Sequence, residues 1–173
     1  NQFARPEAHV QQTLDLRVLV QEAEPLLTHL AENVPLDFEL APGPSLVSAD
    51  PTEVTQMLTS LVTNARDASD ESGRLTIRTI RRDMTTPQGT VTCGWCVQVA
   101  DTGTGMPPEV LARVYDPYFT TKPTTGTGLG LTTAKAIAER NGGSITIESE
   151  VGTGTTVTVC LPALNPGLAE GAN

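Results

Sequence analysis

The segment DPTEVTQMLTSLVTNARDAS, Asp50 to Ser69, constrains the fold of this chain more than any other stretch. Its apolar residues Val54, Met57, Leu58, Leu61, Val62, Ala65 and Ala68 recur at three- and four-residue steps, so a helix carries them as one stripe that must be buried against a second layer. Asp50 predicts the N-cap, Pro51 the first helical position, and Glu53 the return partner of a capping box. Elsewhere the period changes to two. PLDFEL at Pro35 to Leu40, LVSAD ending at Asp50, LTIRTIRR from Leu75, the run feeding Asp101, SITIESE from Ser144 and TTVTVCL from Thr155 alternate as strands, with a possible first strand at Leu14 to Leu16. Further helices are predicted from Arg17 to Glu32, with Val20, Ala23, Leu27 and Leu30 on one face, over Pro107 to Arg113, and from Leu131 to Arg140. The last of these is stopped by Asn141, Gly142 and Gly143. Turns fall at Ser72 and Gly73, at Pro87 to Gly89, and at Gly152 to Gly154. This order of elements predicts an α+β chain folded as a two-layer α/β sandwich.

Length and composition allow one core. The chain has 173 residues, 38% hydrophobic and 18% charged, and only 3% aromatic, so Val, Leu, Ile and Ala must fill the interior. Residues 1–13 are polar and aperiodic and read as a linker, residues 14–163 as the domain, and residues 164–173 as a disordered tail. A formal net charge of -9 argues against nucleic acid, whose phosphate backbone is bound by clustered Lys and Arg. No apolar run has the length of a membrane span and no secretory signal is visible, so we expect a cytoplasmic fragment without membrane contact.

The pair Cys93 and Cys96 has redox-motif spacing but lies in a strand-like stretch rather than at the start of a helix. Zinc would need a second pair of ligands, whereas Cys160 stands alone and His9 and His29 are distant in sequence. All three cysteines therefore read as packing residues.

Chemistry is concentrated in three places. GTGLGL, Gly126 to Leu131, removes side chains where backbone amides at a helix start can approach phosphate. DTGTGM, Asp101 to Met106, offers a carboxylate acceptor beside two glycines, and Asn64 near the end of the striped helix offers a neutral oxygen for a hard cation. The spacing fits neither a P-loop nor a dinucleotide fingerprint. The three together predict a nucleotide site.

In this order the motifs resemble the ATP-binding catalytic domain of bacterial sensor histidine kinases, in the fold group shared with gyrase, the heat-shock chaperone ATPase and the mismatch-repair ATPase. The resemblance runs from about Asp50 to Pro162. It implies a mixed, mostly antiparallel sheet on about three helices, with ATP and Mg²⁺ as cofactors and ADP as product. It assigns Asn64 to the metal, Asp101 to the adenine amine, Gly103, Gly105 and Met106 to the base pocket, and Thr155, with Gly152 and Gly154, to the base-side wall. YDPYFTTK matches the phenylalanine-containing box of the subclass ending in two threonines and a lysine. Gly126, Thr127, Gly128, Leu129, Gly130 and Leu131 match the lid hinge and phosphate helix, and Asp67, Ala68, Thr121 and Lys122 complete the expected nucleotide contacts.

The chain departs from that pattern in three places. Ser60 stands where many of these kinases carry a second Asn one turn before the metal ligand, and Asp67, beside Arg66, where many carry a base. Lys122 is then the first candidate for the terminal phosphate and the second catalytic residue beside Asn64, with Arg66 next. Neither histidine has the acidic neighbour of a phosphoacceptor, and FARPEAHVQQTLDL resembles the linker leaving an acceptor hairpin, so the chain reads as part of a longer protein. The resemblance implies a protein histidine kinase with two partners, its own dimerisation and histidine-acceptor domain and a response-regulator receiver domain. The alternative from another class is a nucleotide-sensing regulatory module without significant turnover.

Overall fold

The computed structural model describes residues 10–116 and 130–164. The chain runs β1 (Gln12–Asp15), α1 (Leu16–Leu30), β2 (Leu36–Leu40), β3 (Leu46–Ala49), α2 (Pro51–Ala68), β4 (Leu75–Thr85), β5 (Val91–Asp101), α3 (Pro108–Leu111), α4 (Gly130–Arg140), β6 (Ser144–Glu150) and β7 (Gly154–Pro162). Five strands form one sheet in the order β2-β4-β5-β7-β6, with β2 parallel to β4 and the other pairs antiparallel. β1 and β3 make a separate antiparallel pair. The expected α+β sandwich is present.

The stripe of α2 explains the second layer. Val54, Met57, Leu58, Leu61 and Val62 are fully buried, in one cluster with Val20 and Leu27 of α1, Ile137 and Ala138 of α4, and Leu75, Ile77, Val97, Val99 and Val159 of the sheet. Each large side chain so buried contributes about 1.5–3 kcal/mol, and Leu58→Ala would cost about 2–5 kcal/mol because α2 is packed on both flanks. With so few aromatics, the interior is closed by aliphatic interdigitation.

Asp50 caps α2 as expected, accepting from the Thr52 and Glu53 amides at 3.0 and 3.5 Å. Its own amide, however, donates to Asn141 Oδ1 at 3.0 Å, while Glu53 receives Arg140 and Asn141 at the end of α4. The capping box is therefore replaced by a tie between two helix ends. α4 closes as a Schellman motif, with Gly143 N–H on the Ala138 carbonyl, Gly142 N–H on that of Glu139, and Gly142 at φ 76°. Several boundaries also differ from the sequence reading: α3 is only Pro108–Leu111, α4 begins at Gly130, and the strand expected at Leu14 to Leu16 is Gln12–Asp15, with Leu16 already in α1. α1 starts one residue earlier than the period suggests, because Asp15 caps it through the Arg17 amide, and ends at Leu30, after which Glu32 turns the chain at φ 54°.

The cysteines require a correction. Cys160, expected to stand alone, is disulfide-bonded to Cys96. The two are directly paired across β5 and β7, a register that pattern alone cannot supply. They lie on the sheet face away from the helices, with Met84 and Ile80. Cys93 keeps its thiol and accepts from Arg81 Nε at 3.0 Å. In a reducing compartment the bonded pair would stand as two packed thiols. No helix among the described residues is long and apolar enough to cross a membrane.

Candidate functional site

The last third of α2 is the wall shared by the motif residues. Asn64, exposed on its flank, meets the first residue of α4: a Cβ built on Gly130 would lie 2.5 Å from Asn64 Nδ2 and 2.8 Å from its Oδ1. Glycine at this point makes room for the amide side chain at a helix N-terminus, where unsatisfied N–H groups favour anions. One turn further along α2, the Ala68 carbonyl accepts from Thr104 N–H at 3.2 Å. This bond docks the 101–106 loop on the helix end.

Asp101 is the last residue of β5, and its Oδ1 accepts from the Gly103 amide at 2.9 Å and the Thr155 amide at 3.3 Å. The carboxylate is thus oriented by the two segments expected to line the base pocket. Gly105 has φ 70°, and a Cβ there would lie 2.0 Å from the Glu150 carbonyl oxygen, so the loop can lie on the β6–β7 turn only without a side chain. Met106 is half-buried, and its amide donates to Ser149 Oγ at 2.8 Å. Ser149 was not singled out by sequence. Its one signal is a hydroxyl on the last strand before the GTGTT turn, which acquires meaning only once Ser149 and Thr155 are known to be cross-strand partners.

Other expected contacts are engaged differently. Asp67 Oδ1 receives Arg66 Nε and Nη2 at 3.2 and 3.0 Å, and Arg66 also reaches the Leu30 carbonyl and Glu32, so this guanidinium is held at the end of α1. Leu131 is partly buried and packs against the core cluster. Thr121, Lys122, Gly126, Thr127, Gly128 and Leu129 lie outside the described residues, as does His9. Leading toward that segment, Tyr115 is held on α4: the Thr132 hydroxyl donates to its carbonyl, and the Lys135 ammonium lies 4.6 Å from its ring centroid. Burial, and secondarily the charge of Glu139, push the Tyr115 hydroxyl above its ordinary range.

Among the described residues no three His, Cys, Asp or Glu side chains gather as a metal cage. The donor set instead suits Mg²⁺, which is commonly held by one or two protein oxygens with water and substrate phosphates completing its shell. Asn64 Oδ1 would be one such oxygen, beside a helix N-terminus.

A two-layer α+β sandwich that gathers a carboxylate, a glycine loop and a helix start at one end of its helix layer is the architecture of a catalytic ATP-binding domain. The chain belongs to the histidine kinase-, DNA gyrase B-, and HSP90-like ATPase family, whose sequence pattern matches residues 49–165. It is 35% identical over 176 residues to the sensor kinase CckA of Brucella abortus, covering 94% of this chain and 18% of that protein. It is 30% identical over 163 residues to the sensor histidine kinase ZraS of Escherichia coli K12, covering 93% and 33%. Its fold superposes with a TM-score of 0.69 on the nucleotide-free catalytic domain of the histidine kinase ThkA, at 30% identity over 89% of this chain and 98% of that one. These likenesses bear out the resemblance to the catalytic domain of sensor histidine kinases. The chain spans about a fifth to a third of the two relatives' length.

Proposed function

We propose that this domain binds Mg-ATP in the groove along α2 and supplies its γ-phosphate to a histidine on a separate dimerisation hairpin, from which a response-regulator receiver domain takes it. The observation that carries this reading is the convergence of Asn64 with Gly130 on one side of the α2 end and of the Asp101 loop on the other. That arrangement gives ATP a base end and a phosphate end. Asp101, held by the Gly103 and Thr155 amides, accepts from the adenine amine, with Met106 and Thr155 beside the base. At the other end Asn64 contributes a metal ligand, and the N–H groups at the start of α4 face the phosphates. Gly126, Gly128 and Lys122 belong to the phosphate side of this proposal. Bound Mg²⁺ would offset the charge on the phosphate oxygens.

The chemistry is an in-line displacement. A neutral imidazole nitrogen of the acceptor forms a bond to the γ-phosphorus, the bond to the bridging oxygen breaks, and ADP leaves with that electron pair. The chain's contribution is positioning and electrostatic stabilisation.

The test is phosphotransfer in trans. With γ-labelled ATP the chain alone should remain unlabelled, and the acceptor hairpin of the same protein, added separately, should take up label that is stable in base and lost in acid. A hairpin with a suitable histidine that stays unlabelled at saturating Mg-ATP, yet changes its association with this domain when nucleotide is added, would favour the regulatory module instead.

A further inference from the structure

Ser149 of β6 faces Thr155 of β7 directly across the strand pair, and three groups converge on its hydroxyl. Met106 N–H lies 2.8 Å from Ser149 Oγ, Thr155 Oγ1 lies 2.7 Å away, and the Gly154 carbonyl oxygen 3.2 Å away. A serine hydroxyl has one proton and two lone pairs. The Met106 amide can only donate, so it takes one lone pair. The Gly154 carbonyl can only accept, so it takes the proton. The contact with Thr155 then completes the set only if Thr155 donates its own hydroxyl proton to the second lone pair. Having donated it, Thr155 Oγ1 has only acceptor capacity left. Its backbone amide meanwhile points at Asp101 Oδ1, so the same residue carries an oriented hydroxyl and helps orient the carboxylate.

Resting on the adenine-nucleotide reading above, we propose that Ser149 is a positioning residue that sets the hydrogen-bonding polarity of the base pocket. It holds Thr155 toward the base as an acceptor. The pocket thereby favours a purine whose six-position carries an amine, a donor, over one that carries an oxo group, an acceptor. An unpaired acceptor facing a second acceptor is costly, and this is how a site built for one hydrogen-bonding pattern rejects its counterpart. Removing the Ser149 hydroxyl frees the Thr155 proton to point toward the base, where it can serve an oxo group.

The experiment is calorimetric titration of ATP and of inosine triphosphate, its 6-oxo counterpart, against the unmodified chain, Ser149→Ala, Ser149→Thr and Thr155→Val, with melting temperatures recorded in parallel. Ser149→Ala should lower the preference for ATP over inosine triphosphate on the order of tenfold, chiefly by losing ATP affinity. Ser149→Thr should restore the preference, because it restores the hydroxyl. Thr155→Val should lose it independently of Ser149, which keeps the idea testable if Ser149→Ala folds poorly. A parallel loss for both nucleotides, leaving their ratio unchanged in Ser149→Ala or in Thr155→Val, would reduce Ser149 to a structural link and overturn the proposal. An unmodified chain that binds neither nucleotide would instead overturn the underlying reading of the groove, and the proposal with it.

Discussion

Gly130 and Asn64 occupy each other's space: the position where a Cβ would stand on the first residue of α4 lies 2.5 Å from the Asn64 amide nitrogen. The obstruction is the far end of a flexible side chain rather than backbone. Gly130→Ala should therefore fold, with the helix start gaining up to about 1 kcal/mol from the loss of glycine's unfolded-state freedom. The displaced Asn64 should weaken Mg-ATP binding about tenfold or more. A melting curve paired with a titration checks both halves, and undiminished affinity with raised stability would show that Asn64 need not sit where it does.

Asp101→Ala removes the acceptor proposed for the adenine amine and strands the Gly103 and Thr155 amides that its Oδ1 receives. The expected cost in ATP affinity is about 2–4 kcal/mol. Calorimetry against ATP measures it; an affinity equal to that of the unmodified chain would remove Asp101 from the base pocket.

Asp50 joins three parts of the molecule, accepting from Val10 N–H at 2.9 Å and capping α2 while its amide binds Asn141. Asp50→Ala should cost about 0.5–2 kcal/mol for the cap and more for the Val10 amide left without its acceptor, while the backbone bond to Asn141 Oδ1 is kept. Denaturant unfolding would show this as a lower midpoint with an unchanged slope. A midpoint that does not move would mean that water replaces the carboxylate without loss.

The disulfide closes a separation of 64 residues, which in the chain-entropy account contributes about 4 kcal/mol. Reductant should lower the melting temperature by roughly 10 °C in the unmodified chain and leave Cys96→Ser unaffected. ATP binding should survive in both, because Asp101 and Thr155 are themselves paired in the β5–β7 ladder. Equal effects of reductant on the two proteins would place its action elsewhere.

Much of this architecture is legible in the sequence, for physical reasons visible in α2. A stripe with Asp and Pro at its start leaves one orientation for the helix, and alternating strands must supply what covers it. What escaped depends on register. The pairing of Cys96 with Cys160, and of Ser149 with Thr155, follows from which residues stand opposite one another across separate strands, and a period of two is satisfied by several registers. The Asn141 tie to Asp50 spans 91 residues and has no local signature. At the candidate site, Asn64, Gly130 and the Asp101 loop could be expected together because each motif carries its own chemistry. The diversion of Arg66 to Glu32 and the Leu30 carbonyl could not, because it depends on where α1 ends.

The central claim is that Asn64 contributes to nucleotide binding through a metal. The most direct measurement is the affinity of ATP for the unmodified chain and for Asn64→Ala, each titrated once in excess Mg²⁺ and once in a chelator. The account predicts that the substitution costs about tenfold or more with Mg²⁺ present and little without it, because the amide acts on the cation rather than on the phosphates. Equal losses in the two conditions, or none in either, would contradict it.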